Sequence, residues 1–355
     1  MAKKKTPEIN SSSTADIAFL LLCYFLMTTT MGEQSGLQRR LPPIPDDQKN
    51  VEDQKVNRRN IVIVRINSAD KLFAGNEAMD INFLKEKMKL FLSNPNDDPS
   101  LPEKEEKEIE GKTYMVSKGV ISLQNDRGTS YQAYIAVQNE LVKAVNELRD
   151  EFSVAHFGRK FSLLTEDQQN IVKKAVPQNI SEAEPKDTGK KKKWEERIMS
   201  KFGGSNSKKN VPGISSGSLS DIVFMLLFFF MVTTQLRETE NKVIVKLPEA
   251  SEAAKLERKD LSANINIGTP VRHLQGQWGT DARIQLNDSF KTIDDIRDFI
   301  AAERDAMSEA ERSLMTVNLR VDEDVRMGIV SDVKQELRRC SALKIMYASR
   351  KPGND

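Results

Sequence analysis

The sequence predicts an α+β protein built twice on one plan, a single membrane-spanning helix followed by a small α+β domain. Three observations predict it. An apolar run with an aspartate at its start occurs twice, around Asp16 and Asp221, at a constant offset (221 − 16 = 205) that also aligns Pro7 with Pro212, Ile9 with Ile214 and Ser11 with Ser216. Each run is followed by polar sequence in which period-two and helical apolar patterns alternate. Hydropathy averaged over the chain is polar, so the two runs are islands in otherwise soluble sequence.

The first run has strictly apolar residues from Ile17 to Met27 and the second from Ile222 to Val232, 11 residues each. That is ~16 Å of helix, short of the roughly 30 Å of a bilayer core. Extended through their small polar flanks, residues 11–31 and 216–236, the runs reach ~31 Å. The flanks carry serines, threonines and the aspartate, which are tolerated only where that face meets protein or water. A signal peptide would explain the basic start and short apolar core of the first run, but no small-x-small cleavage site follows in residues 28–33, and a second signal peptide near residue 208 makes no sense. A buried core helix would show a polar face, and a plain lipid anchor would not need an aspartate. A carboxylate inside a membrane is expensive and marks function, so Asp16 and Asp221 are the candidate proton-carrying residues. A proton carrier must load from one compartment and release to another, which a carboxylate does near neutral pH once it is removed from water.

Ser13, Thr14, Ser218 and Ser220 stand beside the aspartates, with further serines just before them. Their hydroxyls cap the helix start, the simpler reading for most of them, or line a wet path. Thr28, Thr29, Thr233 and Thr234 lie three to four turns away. They are either polar contacts to a ring partner or markers of the outer interface. Lys3, Lys4 and Lys5 precede the first run, and Lys190, Lys191, Lys192, Lys193, Lys201, Lys208 and Lys209 precede the second. Basic flanks stay in the cytoplasm, so both helices run N-inside and C-outside.

The bulk numbers exclude several classes. The 355 residues suffice for two or three domains, and a net charge of +2 gives no reason to expect nucleic acid. Two cysteines, Cys23 and Cys340, make no disulfide framework. The two histidines, His156 and His273, stand alone. No metal or cofactor site is expected, and with no Gly-rich phosphate loop or nucleophile elbow, nothing points to an enzyme.

The second soluble part predicts strands at 261–267, 283–286, 315–321 and 343–347 and helices at 293–307 and 325–337, the order β-β-α-β-α-β. The first predicts strands at 61–66 and 120–123 and helices at 81–92, 131–152 and 161–176. Residues 93–118, rich in Pro, Asp, Glu and Lys, read as an inserted loop, and residues 178–193 as disordered. The expected organisation is a cytoplasmic N-terminus (1–10), helix one (11–31), a linker (32–59), soluble domain one (60–177), a charged linker or junction (178–211), helix two (212–236), a linker (237–260) and soluble domain two (261–349).

Both runs resemble the ExbD/TolR family of energy-transducing inner-membrane proteins. The first is similar to the form common in Bacteroidota, with Ala15-Asp16-Ile17-Ala18-Phe19-Leu20-Leu21-Leu22, then Thr28-Thr29-Thr30-Met31, Gly36-Leu37 and Leu41-Pro42-Pro43. The second continues into Val243-Ile244-Val245-Lys246-Leu247-Pro248-Glu249-Ala250, similar to the wider family. Many members carry a proline three residues before the aspartate, where Ser13 and Ser218 stand here. Asp322, Val325, Gly328 and Val330 resemble a D-x-x-V-x-x-G-x-V stretch of the family's periplasmic domain and read as fold residues. The resemblance is strong over roughly residues 7–45 and 212–250 and weaker in the soluble parts. It implies a proton-motive-force-coupling subunit in the inner membrane of a Gram-negative bacterium, with periplasmic soluble domains. A pair of ExbD-like subunits would sit inside a pentameric ExbB/TolQ-like ring and pass work to a TonB-like protein that opens outer-membrane transporters. Asp16 and Asp221 match the family's proton-carrying aspartate. The alternative is a TolR-like envelope tether of a Tol-Pal-type system that binds cell wall, with the aspartates serving only helix pairing.

A continuous chain conflicts with this layout. Two N-inside helices need a return crossing between them, and residues 32–210 hold no apolar run to make it. The simplest resolution joins two subunits near Met199, a pair of unlike ExbD-type subunits. The alternative is a real hairpin with the second soluble domain left in the cytoplasm.

Overall fold

The structure, a computed structural model, describes residues 34–43, 57–183, 241–256 and 258–353. Both apolar runs, and the domain bounds drawn around them, fall outside these residues. No helix among the described residues is long and apolar enough to cross a membrane.

In chain order, β1 (Ser35–Arg40) stands apart from the rest of the first half, which begins with β2 (Ile61–Ile66), β3 (Leu72–Ala74) and β4 (Glu77–Ala78). Helix α1 (Ile81–Ser93) follows, capped by the Asp80 carboxylate on the Asn82 amide and ended by Asn94 in the left-handed region at φ 37°. Its buried Leu84, Met88, Phe91 and Leu92 recur at helical spacing. Strands β5 (Lys104–Ile109), β6 (Lys112–Ser117) and β7 (Val120–Asn125) lead into α2 (Tyr131–Phe157), whose Ser130 cap accepts from the Ala133 amide. Helix α3 (Glu166–Ala175) and strand β8 (Ile180–Ala183) complete the half.

The second half holds β9 (Val243–Ile244), β10 (Ala254–Lys255), β11 (Ser262–Pro270), the short α4 (Gln275–Trp278), β12 (Arg283–Leu286), β13 (Ser289–Lys291), α5 (Asp295–Asp305), the short α6 (Glu309–Arg312), β14 (Thr316–Val321), α7 (Met327–Arg339) and β15 (Lys344–Ala348).

The halves repeat one topology. The first has the sheet order β4-β3-β2-β7-β8, and the second contains β13-β12-β11-β14-β15. In each, the three strands at one side are parallel and the hairpin partners antiparallel. Their apolar side chains merge into one core that runs from Leu84, Ile121 and Ile135 in the first half to Ile265, Leu319 and Val333 in the second.

Four expectations change. Residues 93–118 are a loop only in part: residues 94–103 hold no helix or strand, but β5 and β6 then form a hairpin through Glu110 and Gly111, both at positive φ (52° and 79°) as a two-residue hairpin turn requires. It packs through Ile109 and Tyr114 on α3 Ala175. Within the stretch read as disordered, Ile180–Ala183 is a strand, held by parallel pairing to β7. The two segments read as linkers after the apolar runs contribute β1, β9 and β10. The second half adds two short helices and β13 to the expected β-β-α-β-α-β order; β13 arises where Asn287 at φ 49° turns the chain straight back on β12.

Strand β1 belongs by sequence to the first half but pairs antiparallel with β15 of the second, Leu37 opposite Tyr347 and Arg39 opposite Ile345. The Leu41 amide donates to the Leu343 carbonyl at 2.7 Å and the Ser349 amide to Ser35 at 3.0 Å, closing both ends. Leu37 and Leu41 are buried. Gly36 is required here, since a Cβ would collide with the Tyr347 carbonyl oxygen. Strand β10 then pairs with the outer edge of β1.

Candidate functional site

The candidate residues read from the sequence, Asp16, Asp221, Ser13, Thr14, Thr28, Thr29, Ser218, Ser220, Thr233 and Thr234, lie outside the described residues. The described residues include the segments just after the two apolar runs and the junction of the two halves.

The segment after the first run, β1, crosses into the second half. The segment after the second run stays on its own half. Strand β9 pairs with β11, and the Lys242 and Val243 amides both donate to the Gln285 side-chain oxygen, at 2.9 and 3.2 Å. Further along, the Lys246 amide donates to the Asp322 carboxylate at 2.9 Å, and the Ala250 amide to the Arg350 carbonyl at 2.9 Å. Burial, first, and the nearby Asp324 and Glu323 push the Asp322 carboxyl above its ordinary value, against the backbone amides bonded to it. Both segments that follow the apolar runs therefore end on the sheet of the second half.

The halves meet through the turns that start α2 and α7. Asp126 and Asp322, and Tyr131 and Met327, are equivalent by topology, at one offset (322 − 126 = 196; 327 − 131 = 196). Four backbone bonds relate these turns by an approximate two-fold axis. The Tyr131 amide donates to Val325 at 2.8 Å, and in return Met327 donates to Thr129 at 2.8 Å. The Gln132 amide donates to Glu323 at 3.0 Å, and Gly328 donates to Arg127 at 2.8 Å. Ser130 and Arg326 face each other as an antiparallel bridge at the centre. Such reciprocity, in which i meets j and j meets i, is the mark of an isologous contact. Gly328, read from the sequence as a fold residue, also serves this contact: a Cβ there would lie 3.2 Å from the Arg127 carbonyl oxygen. Arg127 adds a two-pronged ion pair to Asp332 at 2.7 and 2.6 Å, partly exposed.

Behind this ladder lies a buried polar cluster. Lys334 on α7 bonds Glu182 on β8 at 2.8 Å, with each side chain 8 % exposed. Glu182 also accepts from the Tyr347 hydroxyl at 2.9 Å and the Gln138 amide at 3.0 Å. Gln138 donates to the Tyr134 hydroxyl at 3.1 Å and accepts from the Arg39 guanidinium of β1 at 3.0 Å. The Lys334 ammonium lies 5.2 Å from the Tyr134 ring centre. Burial alone would raise the Glu182 carboxyl; the charges of Lys334 and Arg39 and the bonds from Lys334 and Tyr347 more than offset it, and the group is held below its ordinary value. Burial likewise works to lower the Lys334 ammonium, but the Glu182 charge wins and holds it above. Tyr134 is pushed up to about 12, by burial first and then by Glu182. This is a fixed ion pair at neutral pH, not a titrating site. No group of His, Cys, Asp and Glu among the described residues could hold a metal.

Sequence reasoning missed Glu182 and Lys334. Glu182 sits in the first residues of a charged tail. Lys334 did leave a signal, a lysine in the apolar stripe of Val330, Val333 and Leu337.

The family of biopolymer transport proteins ExbD/TolR matches the chain twice, over residues 2–149 and 207–351. The chain belongs to this family, as two tandem copies. It is a family of inner-membrane-anchored transport and envelope proteins that work with ExbB/TolQ-type and TonB/TolA-type partners. Comparisons with curated proteins and with solved structures gave no match.

Proposed function

We propose that the chain is the proton-motive-force-coupling component of an ExbB–ExbD-type inner-membrane motor that energises TonB-dependent outer-membrane transport. Asp16 and Asp221 carry the protons inside a ring of ExbB-like helices, and the soluble halves deliver the work on the periplasmic side. The observation that carries this reading is the route out of the helices. Strand β1 starts four residues after the expected end of helix one at Met31, and β9 starts seven after that of helix two at Leu236. Both are stitched into one sheet by backbone bonds, so a rotation or shift of the helix pair acts directly on the joined body.

The shared core supports one compartment for both halves. With both helices N-inside, that compartment is the periplasm and the lysine-rich residues 190–209 are cytoplasmic, which favours two subunits joined near Met199. Substitution of Asp16→Asn and Asp221→Asn, separately, tests the proton role. Loss of proton-motive-force-dependent uptake at normal expression is expected, and full uptake in both variants overturns it. Retained uptake with loss of envelope integrity would favour the TolR-like tether.

A further inference from the structure

We infer that the buried cluster on the pseudo-two-fold axis makes the two halves pair with each other and rejects pairing of either half with a second copy of itself. The inference rests on the joined halves alone and holds whatever the motor drives.

The positions in the cluster are related by the axis. Lys334 lies seven residues after Met327 and Gln138 seven after Tyr131, so they are equivalent. Ile121 pairs with Ile180 in the first half and its equivalent Val317 pairs with Ile345 in the second, so Glu182 and Tyr347 are equivalent, two residues further along. Each position thus faces its own equivalent or its neighbour across the axis, and the two halves have filled it differently. The first half supplies an acid and an amide, Glu182 and Gln138. The second supplies a base and a phenol, Lys334 and Tyr347. Together they make one ion pair with the carboxylate bonded by three donors, from Lys334, Tyr347 and Gln138.

Like pairing cannot reproduce this set. Two second halves would bring two buried Lys334 ammoniums and two Tyr347 to the axis with no acid. Arg338 on the same helix adds to the positive field at Lys334. Two first halves would bring two Glu182 carboxylates and two Gln138. Arg39 would soften that repulsion, since its charge already reaches Glu182, but it bonds Gln138 and not the carboxylate. Buried like charges are costly without a partner. Specificity by an unpaired buried charge in the wrong complex needs no extra contact in the right one. The rejection is therefore stronger for two second halves than for two first halves.

The full-length chain can be made to mimic each wrong pair. Ser130 and Arg326 form a non-hydrogen-bonded antiparallel pair, with Cα atoms roughly 4.5 Å apart, within the disulfide range. The parent carries S130C and R326C with Cys23→Ala and Cys340→Ala, and is expected to form the disulfide between its halves readily. Q138K with E182Y gives the first half the second's set, and K334Q with Y347E does the reverse. Disulfide formation is expected to slow at least tenfold in the first variant and less in the second. All four substitutions together exchange the sets and restore one acid and one base, so the disulfide rate is expected to return to within about threefold of the parent. Parent-like rates in both half-exchanged variants overturn the inference. So does a fully exchanged variant as slow as they are, because the cluster would then act through the fit of particular side chains and not through its charge set.

Discussion

Replacing Lys334 by methionine keeps most of the apolar stem and removes one charge. The remaining donors to Glu182 are the Tyr347 hydroxyl and the Gln138 amide, which leave a buried carboxylate without a cation bonded to it. Breaking a buried pair from one side costs about 3–5 kcal/mol. The two side chains are only 8 % exposed, so solvent screening does not discount the figure much. For a cooperative unit of this size the melting midpoint should fall by roughly 10 °C. The pH dependence carries the sign. In the parent, Glu182 lies below its unfolded value, so its contribution is complete above the ordinary carboxylate range and is lost only as pH falls through the lowered value. Lys334 lies above its unfolded value, so its contribution is present at neutral pH and lost only at strongly alkaline pH. In Lys334→Met, burial is opposed only by the Arg39 charge and the Tyr347 bond, the largest opposing contribution is gone, and Glu182 is expected to rise. The deficit should then be full at pH 7 and shrink as pH falls toward 5 and the carboxyl takes up a proton. Glu182→Gln in the same variant should recover much of the loss, since neutral replacement of both partners is mild. Thermal unfolding of the purified protein in mild detergent, followed by circular dichroism at pH 5 and 7, measures all three. A Lys334→Met midpoint within about 2 °C of the parent at pH 7, or a deficit that does not change with pH, would refute the reasoning.

Gly36→Val should expel β1 from β15, because the added atoms meet backbone; trypsin should then cleave after Arg39 or Arg40 at least tenfold faster than in the parent. Arg127→Ala removes a partly exposed pair and should cost about 1 kcal/mol or less, a shift of a few degrees in the same melt. Replacing residues 104–117 by a short Gly-Ser turn should leave the main sheet folded, since the hairpin packs on its own small cluster at Ala175; loss of the cooperative melt would contradict this.

The elements with regular apolar periodicity were legible in the sequence. The alternating residues of β11 and β14 and the apolar stripes of α1, α5 and α7 fall close to where the pattern puts them, as tertiary packing and local preference agree there. The pieces that escaped are those whose reason to exist is elsewhere in the chain. Strand β1, with Arg39 and Arg40, has no apolar alternation of its own, and exists because β15 offers an edge. Strand β8, Ile-Ser-Glu-Ala, runs into a charged tail and is fixed by pairing to β7. The β5–β6 hairpin is written in Lys and Glu, with only Ile109, Tyr114 and Val116 facing inward. The Glu182–Lys334 pair joins residues 152 apart, a relation that periodicity cannot carry.

The approximate two-fold relation is broken in two independent places, and they point the same way. At the axis, the cluster holds one acid and one base where a symmetric pair would hold two of each or none. In the segments that follow the apolar runs, β1 crosses into the other half while β9 remains on its own. The first apolar run is therefore joined to the second half and the second run to the same half, by different paths, with three residues (32–34) and six (237–242) between the expected ends of the runs and the strands. A shorter tether transmits displacement with less loss to chain entropy. If both aspartates carry protons, as proposed, their two protonation events are then mechanically inequivalent. Asp16→Asn, on the shorter path, is expected to reduce uptake more than Asp221→Asn does. Inserting three Gly-Ser residues after Met31 should lengthen that path and bring uptake in the otherwise unchanged chain down, while the same insertion after Leu236 should have the smaller effect. Equal effects of the two insertions would show that the unequal tethers have no part in transmission.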